Sequence, residues 1–230
     1  MAQIISEILR KEKLLQAQEQ ARHLLSLIEE NKYVHVGASE QEVNEQIFEL
    51  AKKEFGVTKH WHKRIVRAGI NSVLTSKANP ENRIIEMNDL VYVDLGPVFE
   101  EFEGDIGKTY LMGSDAKKQK LINDLERIFV LGKSHYLSDP DQTGAALYDF
   151  VVRQCEEADW NFGNEIAGHI VSEFAHIQIY GNVPENRIWK QNTVPMSAPG
   201  SDGKTRYWIL EIHLVDKEGQ YGGFFEDILL

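Results

Sequence analysis

Four acidic residues and one histidine stand in stretches of the sequence that are otherwise apolar. In chain order they are Asp94, Asp105, His169, Glu211 and Glu226. Asp94 follows "LVYV", Glu211 interrupts "YWILEIHLV", and Glu226 interrupts "GGFFEDILL". Each of these acids occupies a position where the pattern of a strand favours an apolar side chain. An unpaired buried carboxylate is strongly disfavoured, so each acid needs a partner in the folded protein.

Divalent metal ions are one class of partner that suits the whole set. Hard and borderline ions bind carboxylate oxygen and imidazole nitrogen, and two divalent ions would neutralise four carboxylates. A buried acid can also pair with arginine or lysine, and an aspartate pair spaced like Asp94 and Asp105 arises readily by chance among 36 acidic residues. The ordered set therefore predicts a metal site, whereas no single member does.

Helices and strands follow one another in blocks that place these residues. Apolar residues at three- and four-residue steps predict helices over residues 5–30, 38–56, 115–136 and 143–158. β-branched and aromatic residues predict strands within 64–76, 89–113, 168–181, 206–216 and 222–230. Asp94 and Asp105 then lie on neighbouring antiparallel strands. The order of two helices followed by strands occurs twice, which indicates a weak two-fold repeat within an α/β (α+β) chain.

Further predictions concern the loop over 181–205, the number of domains and Cys155. The stretch 181–205 has little periodicity and many turn residues, and so long a loop is usually functional or mobile. No linker-like composition separates the two halves, so residues 1–230 are predicted to form a single domain. Cys155 lies in a predicted helix, where we expect a packed and inert thiol.

The composition excludes several classes of function. The net charge of −11 gives no basic surface for nucleic acid. A single cysteine rules out an intrachain disulfide, which favours a reducing compartment. The N-terminus lacks the apolar core of a signal peptide, and no apolar stretch approaches the roughly 18 residues that span a bilayer. We therefore expect a cytoplasmic protein that acts on neither membranes nor nucleic acid.

The order and type of the five residues resemble the ligand set of the pita-bread metallopeptidases of M24 type, which include Xaa-Pro aminopeptidases, prolidases, methionine aminopeptidases and creatinase. The matching segments, "VDLGPVFEEFEGDIGKTYLMG", "GHIVSEFAH" and "LEIHLVDKEGQYGGFFED", begin at residues 93, 168 and 210. The resemblance covers nearly the whole chain and is closest to the catalytic domain of the Xaa-Pro enzymes without their separate N-terminal domain. It implies a curved, mainly antiparallel sheet with helices on its convex side and pseudo-two-fold halves.

The same resemblance implies a role for each residue of the site. Asp94 would hold one metal ion, Asp105 and Glu226 would bridge a pair, and His169 and Glu211 would hold the second ion. The ions would be Mn, Co, Fe or Zn, since the set contains only oxygen and nitrogen donors. Glu211 would also accept the proton of the attacking water. His176, seven residues after His169, would donate a hydrogen bond to the substrate carbonyl or to the tetrahedral intermediate.

The sequence departs from the family pattern where substrate would bind. Ser76 and Lys77 stand where the family has a histidine, so Lys77 is a candidate donor to substrate. His60 and His62 in "KHWHKR" are alternative sources of an imidazole, although such a segment is more often a surface strand. Of these we take His62 as the candidate for contact with substrate.

Other departures lie beside the last two ligands and beside His169. His213 alternates with Glu211 along one strand and is a third substrate-binding candidate, with a supporting polar role as the more cautious reading. Phe224 replaces the arginine common in Xaa-Pro enzymes, which weakens that specificity. The family pattern "GHGIG" is "GHIVS" here, and because the family's glycines permit close backbone approach, Ile170 and Val171 are expected to narrow one wall of the site.

Three functions fit these observations. The first is a dinuclear metal-dependent aminopeptidase of Xaa-Pro type that acts on short peptides by attack of activated water. The second is a creatinase-like hydrolase that cleaves a C–N bond of a small amide or amidine. The third is a non-catalytic binding protein with the same fold, but the retention of all five ligand types argues against it. The resemblance also allows a homodimer.

Overall fold

A computed structural model describes residues 6–176 and 183–230. It contains four helices in these ranges, α1 Glu7–Glu30, α2 Glu40–Phe55, α3 Ala116–Ser138 and α4 Gly144–Glu157. The strands are β1 Ile65–Ala68, β2 Leu90–Leu95, β3 Val98–Phe99, β4 Phe102–Glu103, β5 Ile106–Leu111, β6 Asn161–Phe162, β7 Gly168–Val171, β8 Tyr207–Val215 and β9 Gly222–Ile228. Two 3-10 helices cover Gly69–Val73 and Pro184–Asn186.

The main sheet has the strand order β1-β2-β5-β9-β8-β6, and β7 also pairs with β8. Its strand pairings are antiparallel. Strands β3 and β4 form a separate hairpin that connects β2 to β5. Two helices precede each group of strands, so the predicted mixed fold with a mainly antiparallel sheet and two similar halves is confirmed.

The helix boundaries follow from capping residues in the sequence. The Ser39 side chain accepts a hydrogen bond from the backbone of Glu42 at the start of α2, and Gly56 ends that helix in the left-handed region. Asp115 and Thr143 cap α3 and α4 in the same way as Ser39. Each cap supplies an acceptor for backbone N–H groups that would otherwise have no partner.

Two hydrophobic clusters join the helices to one face of the sheet. Helices α1 and α2 pack on Val91, Val93 and Leu95 of β2. Helices α3 and α4 pack on alternate residues of β8, namely Leu210 and Leu214 together with Ile212 between them. Successive side chains of a strand point to opposite faces. The side chains of Asp94 and Glu211, which alternate with these apolar residues, therefore lie on the face away from the helices.

The first predicted strand is shorter than the sequence suggests. The prediction covered residues 64–76, but β1 ends at Ala68 and a 3-10 helix follows. Gly69 has a φ of 53°, a left-handed conformation that interrupts an extended chain. The Ser72 hydroxyl donates a hydrogen bond of 2.6 Å to the Gly69 carbonyl and so holds this turn. The predicted strand over 168–181 ends at Val171, and its last residues lie within 177–182, outside the described residues.

Cys155 is fully buried within the cluster formed by α3 and α4. Burial raises the pKa of its thiol to about 12, so the thiol is protonated and inert at neutral pH, as expected. Within residues 6–176 and 183–230, no helix has both the length and the apolar character needed to cross a bilayer.

Candidate metal centre

Three of the predicted ligands lie in one row across the sheet. Asp94 of β2 is opposite Gly107 of β5, Gly107 is opposite Glu226 of β9, and Glu226 is opposite Glu211 of β8. Directly opposed residues share a face of the sheet, and like charges in that arrangement repel one another. The two glutamates are almost fully buried, so water does not relieve the repulsion. The row therefore requires positive charge beside it.

Asp105 joins this row from the residue directly before β5. It lies two positions before Gly107, so its side chain is on the same face as the other acids. A buried glutamine of α1, Gln18, holds its backbone in place. The Gln18 amide donates to the Asp105 carbonyl at 2.6 Å, and its oxygen accepts from the Asp105 N–H at 3.0 Å. Both main-chain groups of Asp105 are thus fixed by one side chain from a helix.

His169 of β7 faces two of the acids. Its Nε2 lies 3.3 Å from Asp105 Oδ2 and 3.3 Å from Glu211 Oε1. Its other ring nitrogen, Nδ1, is 2.8 Å from the carbonyl of Ile170. Donation of the Nδ1 proton to that carbonyl leaves Nε2 with a lone pair that points at the carboxylates. Burial lowers the pKa of His169 to about 3, so the ring is neutral and suited to metal binding.

His62 approaches the same acids from the opposite side. Its Nε2 lies 3.4 Å from Asp94 Oδ1 and 3.3 Å from Asp105 Oδ1. Burial alone would lower the pKa of His62, but Asp94 and Asp105 outweigh burial and raise the pKa to about 9. The sequence predicted contact with substrate for this residue, and the structure places it within reach of two predicted metal ligands.

The four carboxylates destabilise one another's charged forms. Burial raises the pKa of Asp94 and of Asp105, the latter to about 6, although His62 opposes both shifts. Burial, together with the charges of Asp105 and Asp94, raises the pKa of both Glu211 and Glu226 well above the ordinary value. Shifts in this direction are typical of carboxylates gathered in one buried place.

Several buried atoms of the cluster lack a hydrogen-bond partner within residues 6–176 and 183–230. They are both carboxylate oxygens of Asp105, Oε1 of Glu226 and Nε2 of His62. Native proteins rarely leave such atoms unsatisfied unless an ion or water fills the place. Carboxylate oxygens and imidazole nitrogens are the donors that divalent ions such as Mn, Co, Fe and Zn accept. His62, Asp94 and Asp105 present three such atoms within 4.8 Å of one another, so the residues present fit a divalent cation.

A cavity of about 380 Å³ opens onto this cluster. Its size is within the range of sites that bind small molecules. The predicted ligands Asp94, Asp105, His169, Glu211 and Glu226 all line it. The remainder of the wall combines aromatic and apolar groups with charged groups at the rim, and consists of Trp61, His62, Lys63, Ile65, Thr75, Ser76, Lys77, Asn164, Glu165, Ile166, Arg187 and Trp189.

His176, the predicted donor to the substrate carbonyl, is buried beside the cluster. Its ring centroid lies 6.1 Å from that of His169 and 5.1 Å from that of Trp61. Its Nδ1 and its backbone N–H both contact the carboxylate of Glu103. Glu103 also accepts a hydrogen bond from the backbone of Ser172. The sequence does not predict a role for Glu103, because its position two residues before Asp105 does not distinguish it from the other acids among 36.

The other two substrate-binding candidates lie in different environments. Lys77 is at the rim of the cavity, where its Nζ forms an ion pair of 2.7 Å with Glu165. His213 is buried outside the cavity wall. Its Nε2 lies 3.0 Å from the Ser72 carbonyl, and its ring is next to Phe224 and Tyr92. These contacts favour the supporting role that the sequence also allowed for His213.

The residues beside the ligands contribute to the core more than to the cavity. Ile170 and Val171, which we expected to narrow one wall, are buried in the two helix-facing clusters. Phe224 packs against Tyr92 with 5.5 Å between their ring centroids and is likewise absent from the cavity wall. The wall instead contains Arg187 and Trp189, from the loop that the sequence marked as functional.

A mainly antiparallel sheet with helices on one face and clustered acids on the other defines the pita-bread class of folds. Within that class the chain belongs to metallopeptidase family M24, whose family model matches residues 12–229. An Xaa-Pro dipeptidase of Pyrococcus horikoshii is 31% identical over 123 residues, which are 51% of this chain and 34% of that protein.

Solved structures of the family have the same fold. The X-Pro aminopeptidase of Thermotoga maritima superimposes with a TM-score of 0.73 at 19% identity, over 98% of this chain and 62% of that one. For the prolidase of Pyrococcus furiosus the TM-score is 0.72 at 20% identity, over 95% and 60%. The methionine aminopeptidase of T. maritima gives 0.71 at 18%, over 100% and 99%. The chain thus spans about a third of the curated relative and about 60% of the first two structures.

Proposed function

We propose that this protein is a dinuclear metal-dependent peptidase, of Xaa-Pro aminopeptidase type, that hydrolyses short peptides near a free N-terminus. The observation that carries the proposal is the division of the Asp105 carboxylate. Its Oδ1 lies 3.3 Å from Nε2 of His62, which also approaches Asp94, and its Oδ2 lies 3.3 Å from Nε2 of His169, each at one side of the same buried cluster. A carboxylate with two unsatisfied oxygens that face different donor groups is suited to bridge two ions.

The five predicted ligands divide between the two ions as follows. Asp94 would hold the first, His169 and Glu211 would hold the second, and Asp105 and Glu226 would contribute to both. Bound divalent ions polarise a scissile carbonyl and lower the pKa of water. Four buried carboxylates then no longer repel one another, which offsets the cost of burying them.

Glu211 is the group that takes up the proton of the attacking water. Its carboxylate lines the cavity at 3.3 Å from Nε2 of His169, within the cluster where the ions and the water would bind. His176 lies beside His169, with 6.1 Å between their ring centroids, and donates a hydrogen bond to the carbonyl oxygen as negative charge develops. Glu103 fixes the ring of His176 through Nδ1, so the hydrogen bond needs no reorientation during the reaction.

The cavity wall supports a short peptide with an apolar residue as substrate. Trp61, Ile65, Ile166 and Trp189 give apolar surface beside the acids, which suits a proline ring. The Xaa-Pro dipeptidase and X-Pro aminopeptidase among the similar proteins support the same substrate class. A cytoplasmic location and a homodimeric state belong to the same proposal.

A creatinase-like activity on a small amide or amidine is the second candidate. The burial of Phe224 against Tyr92 favours it, because the arginine common at this position in Xaa-Pro enzymes is replaced by an apolar side chain that is not part of the cavity wall. The two activities share the ions and the water, and they differ only in which C–N bond the cavity accepts.

The test is hydrolysis by the purified protein loaded with Mn, Co or Zn, with a panel of Xaa-Pro peptides, Met-Xaa peptides and amidines. We expect Xaa-Pro cleavage, and we expect kcat to fall by roughly 10²–10⁴-fold for Glu211→Gln, the range for removal of a general base. The control is Glu218→Gln, an exposed acid in the turn between β8 and β9, which should leave kcat unchanged. Failure to bind metal, or activity that survives both Glu211→Gln and Asp105→Asn, would refute the proposal.

A further inference from the structure

We propose that His62 is a direct ligand of the ion that Asp94 and Asp105 hold, so that each ion of the pair carries one imidazole. The inference rests on the proposed metal centre and extends it. The family resemblance implies five ligands with a single histidine, and His62 is not among them. The centre of this protein would therefore have a sixth ligand, contributed by the segment that precedes β1.

The distances around His62 are those of atoms that share an ion. Two ligand atoms that are each about 2.1 Å from one ion, at angles between octahedral and tetrahedral, lie about 3.0–3.4 Å apart. His62 Nε2 is 3.4 Å from Asp94 Oδ1 and 3.3 Å from Asp105 Oδ1. This Nε2 is buried, has no hydrogen-bond partner among the described residues, and points into the cluster at the two aspartates.

His62 repeats the arrangement of His169, the histidine that the sequence assigned as a ligand. Each ring has its Nδ1 at 2.8 Å from the carbonyl of the next residue, Lys63 in one case and Ile170 in the other. Each directs Nε2 at a different oxygen of Asp105, at 3.3 Å. A hydrogen bond from Nδ1 to a backbone carbonyl is the usual way in which a protein orients a metal-binding imidazole.

The surroundings of His62 are shaped to hold the ring in this place. A Cβ atom at Gly96 would lie 2.2 Å from Cδ2 and 2.4 Å from Nε2 of His62, so a side chain there would displace the imidazole. The Trp61 ring stands between the two histidines, at 4.3 Å from His62 and 4.9 Å from His169 between ring centroids. The backbone N–H of Trp61 donates a hydrogen bond of 2.9 Å to the Gly96 carbonyl, which anchors the segment to the end of β2.

A second imidazole changes which ions the centre prefers. Carboxylate-only sites suit Mn and Mg, whereas imidazole nitrogen favours Co, Ni and Zn. With His62 bound, both ions have a mixed oxygen and nitrogen environment. The protein should therefore bind Zn and Co at both positions and prefer them to Mn more strongly than the five-residue set would.

The first experiment needs no variant. X-ray absorption of the wild-type protein loaded with Zn at both positions counts the imidazoles around the ions. We expect an average of one imidazole per ion. An average of one imidazole for every two ions would mean that His169 is the only histidine bound, and it would overturn the inference while leaving the dinuclear centre in place.

The second experiment compares His62→Ala and His62→Gln with His60→Ala, which removes a histidine from the same segment but outside the cluster. Calorimetric titration with Zn should show that the affinity of one metal position is reduced by at least about 10–100-fold in both His62 variants. A loss of that size already follows when a residue that only hydrogen-bonds to a metal ligand is removed. His60→Ala should bind like wild type. Added imidazole should restore part of the lost affinity in His62→Ala, which a purely structural defect would not allow.

The alternative is that His62 serves only as a cation paired with the two aspartates. Its removal would then free the carboxylates, and Zn would bind equally or more tightly in His62→Ala. That result would overturn the inference. If the wild-type protein itself bound no Zn, both this inference and the proposed function would fail, so the two failures are distinguished by the wild-type titration alone.

Discussion

Asp105 is the residue on which both sides of the proposed metal centre depend. It is almost fully buried, and its two oxygens face different histidines at 3.3 Å. Burial raises its pKa to about 6, because the charged carboxylate is removed from water. The charged Asp105 side chain can therefore join two groups of donors only where bound cations offset the free-energy cost of removing it from water.

Glu103 provides a test of catalytic positioning at the scale of one residue. Its buried carboxylate accepts from the backbone of Ser172 and His176 and pairs with the His176 ring. Glu103→Gln replaces one acceptor oxygen by a donor, which leaves at least one of these groups unsatisfied. We expect kcat to fall by about 10–100-fold and the free energy of unfolding to fall by about 1–3 kcal/mol, with unchanged metal content.

The matched control for that prediction is Glu100→Gln in the same hairpin. Glu100 is exposed and forms an ion pair with Lys13, so its substitution should change stability by less than about 0.5 kcal/mol and leave kcat unaltered. Steady-state kinetics and urea unfolding provide both measurements. Equal kcat for Glu103→Gln and wild type would show that Glu103 does not orient His176 for catalysis.

Helix α1 reaches the proposed metal centre through one polar side chain on its buried face. Gln18 is fully buried and holds both backbone groups of Asp105, and its amide also donates to Asp227 at 2.7 Å. We expect Gln18→Met to leave the Asp105 backbone groups unsatisfied, at a cost on the order of 2 kcal/mol or more in stability. Looser positioning of Asp105 should also lower Zn affinity by about 10–100-fold.

Gln20→Met on the exposed side of the same helix is the control for this prediction. It makes the same chemical change without contact to Asp105, so Zn affinity and melting temperature should match those of wild type. Calorimetric titration and thermal unfolding in the presence of a chelator separate the two effects. Wild-type Zn affinity in Gln18→Met would mean that the β5 strand alone positions Asp105.

The sequence predicted the elements and the row of acids because both depend on local pattern. Apolar periodicity and capping residues define α1 to α4, and alternation within β8 and β9 identifies Glu211 and Glu226 as buried acids. The sequence could not predict the contact of Gln18 with Asp105, 87 positions away, or that of Glu103 with His176, 73 positions away. Such contacts depend on how a helix and a hairpin meet the sheet, and no periodicity encodes them.

His62 illustrates the same limit at the scale of the whole molecule. Its segment, "KHWHKR", has the pattern of an exposed strand, yet it folds over the end of β2 and places one imidazole among the acids. The clearance that Gly96 provides for that ring is a three-dimensional property. The sequence therefore indicated His62 as a residue of the site but predicted that it contacts substrate.

The whole molecule should show its need for cations in the pH dependence of stability. In the ion-free protein His62 has a pKa of about 9, above its ordinary value of 6.5. A raised pKa in the folded state contributes stability that is complete below pH 6.5 and is lost as the pH rises toward 9. The raised pKa values of Glu211 and Glu226 act in the same direction. We therefore expect the free energy of unfolding of the chelated protein to fall by about 2–3 kcal/mol between pH 6.5 and 8.5, as measured by urea unfolding.

With Zn at 100 times its dissociation constant, the free energy of unfolding should rise by about 2.7 kcal/mol per site at neutral pH. The decline with pH should then disappear, because the ligands no longer exchange protons. Stability of the chelated protein that is constant or rises over this interval would contradict the charge balance described for the centre.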